Sequence, residues 1–278
     1  MVSLKDQIEE AFKRTEKSAS TKEDFALFEK FKMELNEGRV RAAEKKGDNW
    51  TVNTWVKKGI LLGFRIGAVI EISPQSGFPF LDKETFPIKS ISMKDSIRIV
   101  PGGSSIRDGC FIGKNVTCMP PMYINVGAYV DDDTMIDSHA LVGSCAQIGK
   151  RVHLSAASQI GGVLEPIGSF PVIVEDDVLI GGNCGIYEGT IIRQGAIIGA
   201  GTILTGATPV FDLITDTIYR KKGKNPLEIP SNAVVVPGSR TIKKGYGKDQ
   251  GLSVYTPIIV KYRDGKTESS VELEDLLR

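Results

Sequence analysis

Residues 106–160 read IRDGCFIGKNVTCMPPMYINVGAYVDDDTMIDSHALVGSCAQIGKRVHLSAASQI, and their spacing decides the fold. In steps of six from Ile106, the chain places Ile112, Cys118, Ile124, Val130, Ile136, Val142, Ile148, Leu154 and Ile160 in one phase. Cys118 is the single departure from an aliphatic side chain, so the phase holds without a break. After an irregular, Pro-containing piece at 165–172 the count restarts out of phase at Val174, Ile180, Ile186, Ile192, Ile198 and Leu204. Four positions beyond most anchors stands a small residue, among them Cys110, Ala128, Thr134, Ala140, Ala146, Ser158, Cys184, Ala196 and Thr202. A six-residue period fits neither a helix nor a two-residue alternation; it suits a parallel β-helix in which each hexad is one short strand and one turn. Three hexads close a coil, the anchors stack inside the prism, and the second inward residue is small because it lies near a corner. Glycine after the anchor, as in Ile112-Gly113, Val142-Gly143 and Ile180-Gly181, supplies turn conformations that a β-carbon disfavours. Known products of this repeat are left-handed, against the usual crossover rule. The fold class is therefore mainly β, a left-handed parallel β-helix.

Outward from the repeat, residues 1–100 carry no hexads and form an N-terminal helical or mixed domain. Leu4, Ile8, Ala11 and Phe12 share one helical face, as do Phe25, Phe28, Phe31 and Leu35. Trp50, Val52, Trp55 and the run 59–66 (GILLGFRI) suggest an extended or mixed segment. The prism is assigned to 101–240. Within it, a polar excursion at 211–228 leaves as a loop, and 229–238 (IPSNAVVVPG) supplies one or two closing hexads. The C-terminal segment 241–278 holds a strand or two in GLSVYTPIIVKY and a short terminal helix in VELEDLLR.

Composition narrows the function. The chain has 278 residues with 35 Lys+Arg against 34 Asp+Glu, a net charge of +1, so no global field recruits nucleic acid or an anionic membrane. No apolar stretch is long enough to span a bilayer, and the charged, amphipathic N-terminus is no signal peptide, which points to the cytoplasm. Cys110, Cys118, Cys145 and Cys184 form no CxxC pair and read as reduced packing residues. The glycine string Gly195, Gly199, Gly201 and Gly206 is repeat punctuation, since no GK[ST] follows it.

Most hexapeptide proteins are acyltransferases, a prior that rests on fold alone. Acyl transfer to an amine needs a group to take the amine proton, a donor for the oxyanion and a cradle for the pantetheine arm. His139 and His153 are candidate bases, with surface histidines near corners as the alternative. Asp131, Asp132 and Asp133 read as a solvated turn. Asp137 differs, because it follows an anchor where this chain often uses glycine, between the polar Thr134 and Ser138. Arg98 and Arg65 flank the start of the prism, where a guanidinium could hold a carboxylate in a bidentate pair or simply face solvent.

The segments VRAAEKKGDNWTVNTWVKKGILLGFRI (40–66), NVGAYVDDDTMIDSHALVGSCAQIGKRVHLS (125–155) and GGVLEP (161–166) resemble the tetrahydrodipicolinate N-succinyltransferase family over nearly the whole chain. These strings are not required by the repeat. The resemblance implies a cytoplasmic homotrimer with active sites between subunits. It implies transfer of succinyl from succinyl-CoA to the amine of ring-opened tetrahydrodipicolinate, with no metal and no tightly bound cofactor. Asp137, the Asp of the family's TM.D string, is expected to contact the acceptor amine and to orient or deprotonate it. Arg98, in RIVP, is expected to pair with an acceptor carboxylate. Many members read S-E-x-x-E-G where this chain has CGIYEG (184–189), so Gly185 replaces the first glutamate and Glu188 is taken as the second catalytic acid. His139 stands where many members have Trp, which argues against a general catalytic role. Lys243, Lys244 and Lys248, in the Gly-Tyr stretch, are candidates for the CoA phosphates, or else solvated lysines. The alternatives are another hexapeptide acyl-CoA acyltransferase and a non-catalytic β-helix scaffold.

Overall fold

The computed structural model describes residues 2–72 and 79–263. Its centre is a left-handed triangular prism of two-residue strands, each ending on a hexad anchor. Face one stacks Phe111–Ile112, Tyr129–Val130, Gln147–Ile148, Ile173–Val174, Ile191–Ile192 and Glu228–Ile229. Face two stacks Arg98–Ile99, Thr117–Cys118, Met135–Ile136, His153–Leu154, Leu179–Ile180, Ile197–Ile198 and Ala233–Val236. Face three stacks Ser105–Ile106, Tyr123–Ile124, Leu141–Val142, Gln159–Ile160, Gly185–Ile186 and Ile203–Leu204. Within each face the pairing is parallel and anchor meets anchor, as in Ile136 opposite Cys118 and Leu154. All the anchors are buried, and with the small residues Ala128, Ala140, Ala146 and Ala196 they form one continuous core.

Insertions leave this register intact. Met135 pairs with His153, 18 residues on, whereas Gln147 pairs with Ile173, 26 residues on, so the extra residues bulge out at 161–171 without shifting an anchor. Glycine is required here for close approach: a Cβ on Gly143 would stand 2.2 Å from the backbone nitrogen of Gly162. The two closing hexads are present, with Glu228–Ile229 paired to Ile191–Ile192 and Ala233–Val236 paired to Ile197–Ile198.

The excursion expected to be a loop is more ordered than that. It holds an antiparallel hairpin, Val210–Asp212 with Thr217–Tyr219, docked through the C-terminal strand Ile258–Tyr262. The reason is apolar content the polar average hides: Leu227, like Val210 at its entrance, is fully buried, and the Tyr262 hydroxyl donates to Asp212 Oδ2 at 2.6 Å. Ile258–Tyr262 itself runs antiparallel to Ala233–Val236, and Ser239–Thr241 with Ser253–Tyr255 makes a projecting hairpin. The expected helix in VELEDLLR lies outside the described residues.

Two N-terminal helices form as the apolar spacing predicts, α1 (Leu4–Arg14) capped by Ser3 and α2 (Lys22–Asn36) opened by a Thr21/Asp24 capping box. The run 59–66 is not extended. It belongs to a third helix, α3 (Thr54–Ile66), which follows the hairpin Ala43–Lys46/Asn49–Val52. Gly59 and Gly63 serve packing within it: a Cβ on Gly63 would lie 2.3 Å from the Phe28 ring, and one on Gly59 2.5 Å from Phe31. This helical domain lies along face one, where Ala43 packs with Ile173 and Ile191. Strand pairing of the prism starts at Arg98, opposite Thr117.

Candidate active site

Outward-facing residues on face two stand in register as Arg98, Thr117, Met135, His153, Leu179 and Ile197. Neighbouring rungs are about 4.8 Å apart. Asp137 follows the strand Met135–Ile136 at the corner between faces two and three. The Ser138 backbone amide donates to its Oδ1 at 2.7 Å, which fixes the carboxylate, and its Oδ2 lies 3.9 Å from His153 Nε2. Arg98 is exposed on the same face, two rungs from Met135. Face two therefore brings together Asp137, Arg98 and His153.

Glu188 stands elsewhere. It occupies the corner between faces three and one, in a left-handed turn at φ 55°, and its Oε2 accepts from the Gly206 amide at 2.9 Å. It borders an open cleft of about 1160 Å³ between the Asn49–Val52 strand, the 161–171 bulge and the 221–226 loop. Trp50, Tyr187, Glu165, Lys221 and Lys224 line it. Tyr187 lies across two glycines, so that a Cβ on Gly185 would meet Tyr187 Cε2 at 2.4 Å and one on Gly161 would meet Cδ1 at 2.8 Å. Where Gly185 departs from the family string, the space of a side chain is taken by the Tyr187 ring. The fully buried Lys57 donates to the Ser169 carbonyl at 2.6 Å and ties the bulge to α3; burial holds its ammonium below the usual lysine range.

Other sequence candidates go to structure. Arg65 donates to the Phe12 carbonyl and the Thr15 hydroxyl and stacks on Phe12, joining α3 to α1. His139 is an exposed corner residue at φ 62°. Asp132 accepts from the Lys114 amide and pairs with Lys150, as a solvated turn should. All four cysteines are buried and free, and burial pushes Cys110, Cys118 and Cys145 up to about 12 and Cys184 up to about 11. Lys243, Lys244 and Lys248 sit at the exposed end of the projecting hairpin, away from the cavity.

Similarity to known proteins bears on this arrangement. Residues 3–66 match the model described as "Tetrahydrodipicolinate N-succinyltransferase N-terminal", and residues 171–206 match "Hexapeptide repeat of succinyl-transferase". A 2,3,4,5-tetrahydropyridine-2,6-dicarboxylate N-succinyltransferase of Idiomarina loihiensis is 37% identical over 288 aligned residues, covering 100% of this chain and 99% of that protein. The chain belongs to the tetrahydrodipicolinate N-succinyltransferase family. Relatives of the same name from Afipia carboxidovorans (40% identical) and Nitrobacter hamburgensis (41% identical) each cover 88% of this chain and 86% of their own length. In this member of the tetrahydrodipicolinate N-succinyltransferase family, the sequence reading missed Trp50, Tyr187, Lys221 and Lys224 as cavity residues. A signal for Lys221 and Lys224 existed in the excursion at 211–228, since a residue expelled from a coil has to line something.

Proposed function

We propose that the protein transfers succinyl from succinyl-CoA to the amine of ring-opened tetrahydrodipicolinate, giving N-succinyl-2-amino-6-oxopimelate and CoA. The observation that carries this reading is the end-to-end relationship to a named succinyltransferase. In the reaction the amine nitrogen attacks the thioester carbonyl; a C–N bond forms as the C–S bond breaks, one proton leaves nitrogen and one joins the departing sulfur. Asp137 orients the amine and takes its proton, and Arg98, exposed on the same face, pairs with an acceptor carboxylate. Glu188 is the second acid. Lys243 and Lys244 meet the CoA phosphates, a role that their exposed position on a projecting hairpin permits. No tightly bound cofactor takes part.

Asp137 and Glu188 stand at different corners of one prism, so one chain does not offer both to one substrate. A homotrimer in which the Asp137 corner of one copy lies beside the Glu188 corner of its neighbour completes the site. No helix among the described residues is long and apolar enough to cross a membrane, and we place the enzyme in the cytoplasm. The test is CoA release, followed by thiol titration, with succinyl-CoA or acetyl-CoA and L-2-aminopimelate as acceptor. Acceptor-dependent release that favours succinyl-CoA upholds the reading; a preference for acetyl-CoA transfers the protein to another acyltransferase class.

A further inference from the structure

His153 Nε2 is shielded from solvent and has no hydrogen-bond partner among the described residues, although two-fifths of the side chain is exposed. Buried ring nitrogens are seldom left this way. The nitrogen is turned to Asp137, whose Oδ2 lies 3.9 Å away, just outside hydrogen-bond reach but close enough for ion pairing. The opposite oxygen, Oδ1, is already engaged by the Ser138 amide, so Oδ2 is the oxygen left for chemistry. Above and below His153 the ladder supplies Leu179 and Met135, neither of which titrates, and Asp137 is the one acidic side chain within ion-pair distance among the described residues. Arg98 is the nearest cation on the same ladder, three rungs from His153.

We propose that His153 is a positioning residue for Asp137: its Nε2–H faces Oδ2 and aims the carboxylate at the acceptor amine. A carboxylate can take the amine proton only when its free oxygen points at it, and a donor that holds it in one rotamer raises the fraction of encounters with that alignment. The contact joins two coils of one face, so the strand register sets its geometry. This inference rests on the catalytic reading of Asp137.

Two measurements separate the inference from that reading. In the first, steady-state kinetics compare His153→Phe, His153→Gln, Asp137→Asn and the double variant Asp137→Asn/His153→Phe. His153→Phe lowers kcat by roughly 10- to 100-fold with KM for succinyl-CoA unchanged, within the usual reach of a positioned acid–base group. His153→Gln, which keeps a donor near Nε2, recovers most of the loss, and the double variant is no slower than Asp137→Asn. Wild-type kcat in His153→Phe, equal losses in Phe and Gln, or additive losses in the double variant overturn the proposal. Wild-type turnover in Asp137→Asn overturns the catalytic reading of Asp137 instead. The second measurement needs no turnover. With two histidines in the chain, the His153 ring resonance is assigned by its loss in His153→Phe. At one fixed pH that resonance is expected to move in Asp137→Asn if the carboxylate faces the ring, and an unmoved resonance overturns the contact.

Discussion

Trp50 Nε1 donates to Glu175 Oε1 at 2.8 Å, a bond that joins the N-terminal hairpin to face one of the prism. Lys45 and Arg193 reach the same oxygen, and the Gln194 amide reaches the other, so an almost fully buried carboxylate is satisfied from both domains. Burial alone would push Glu175 up, but the hydrogen bonds from Lys45, Trp50 and Gln194 outweigh it and hold the carboxyl below the ordinary value.

The consequence for acid stability has a definite sign. A group whose folded-state pKa is depressed contributes stability that is present above the unfolded value, about pH 4.3 for glutamate, and lost as pH falls through the lower folded value. Glu175→Gln is expected to flatten the acid limb of the stability curve below about pH 4.3. At pH 7 it should cost on the order of 3 kcal/mol, as losing one member of a buried ion pair does. Urea unfolding across pH 3 to 7, as an order-of-magnitude range around the carboxylate pKa, measures both.

Gly63→Ala tests the packing of α3. The added methyl would meet the Phe28 and Phe86 rings, neither of which is the free end of a flexible chain. A loss of about 1 to 3 kcal/mol follows from overpacking, whereas a helix-propensity argument alone predicts a gain of about 1 kcal/mol for Gly to Ala. The sign of the change in denaturation midpoint decides between them.

Gly185→Ala displaces the Tyr187 ring from its seat over Gly185 and Gly161 and so reshapes the wall of the cavity. The expected result is a fall in kcat/KM of up to about 100-fold with little loss of fold, since misplacement by about 1 Å can cost that much. Tyr187→Phe, which keeps the ring, should stay near wild type. Kinetics beside circular dichroism separate this from unfolding.

The proposed trimer, with its site shared between neighbouring copies, predicts complementation. Asp137→Asn and Glu188→Gln are each expected to be inactive alone, but the co-expressed, randomly assembled pool should regain about a quarter of wild-type activity, because that share of sites draws both intact residues. Mixed oligomers that stay inactive would mean that both acids act within one subunit's site, or that one of them does not act.

The prism was legible because its period is set by coil geometry: a residue slipped by one position would leave the core, so Ile106 through Leu204 keep their phase. The third helix was not, because Gly59 and Gly63 carry the same letters whether they open a turn or admit a phenylalanine ring. Asp137 and Arg98 are single candidates in the sequence; the register puts Arg98 on face two and Asp137 at its corner. The separation of Glu188 from Asp137 was not readable, since hexad position gives a residue's place within a turn but not which of three corners that turn becomes. The His153 contact escaped for a similar reason: residues 16 apart in sequence become neighbours only when the 18-residue coil closes.

A column of identical rungs has no intrinsic length, because the last parallel strand offers the same unpaired amides and carbonyls as every strand before it. Such an edge is a template for further chains. At the top of face two, Ala233–Val236 meets Ile258–Tyr262 running the opposite way, with the register shifted between Val234 and Val235. The far edge of Ile258–Tyr262 is taken by Val210–Asp212, and the sheet ends on the short antiparallel strand Thr217–Tyr219. The C-terminal strand and the hairpin docked on it thus act as a terminator for that face, and removing them should convert a finite column into a sticky-ended building block.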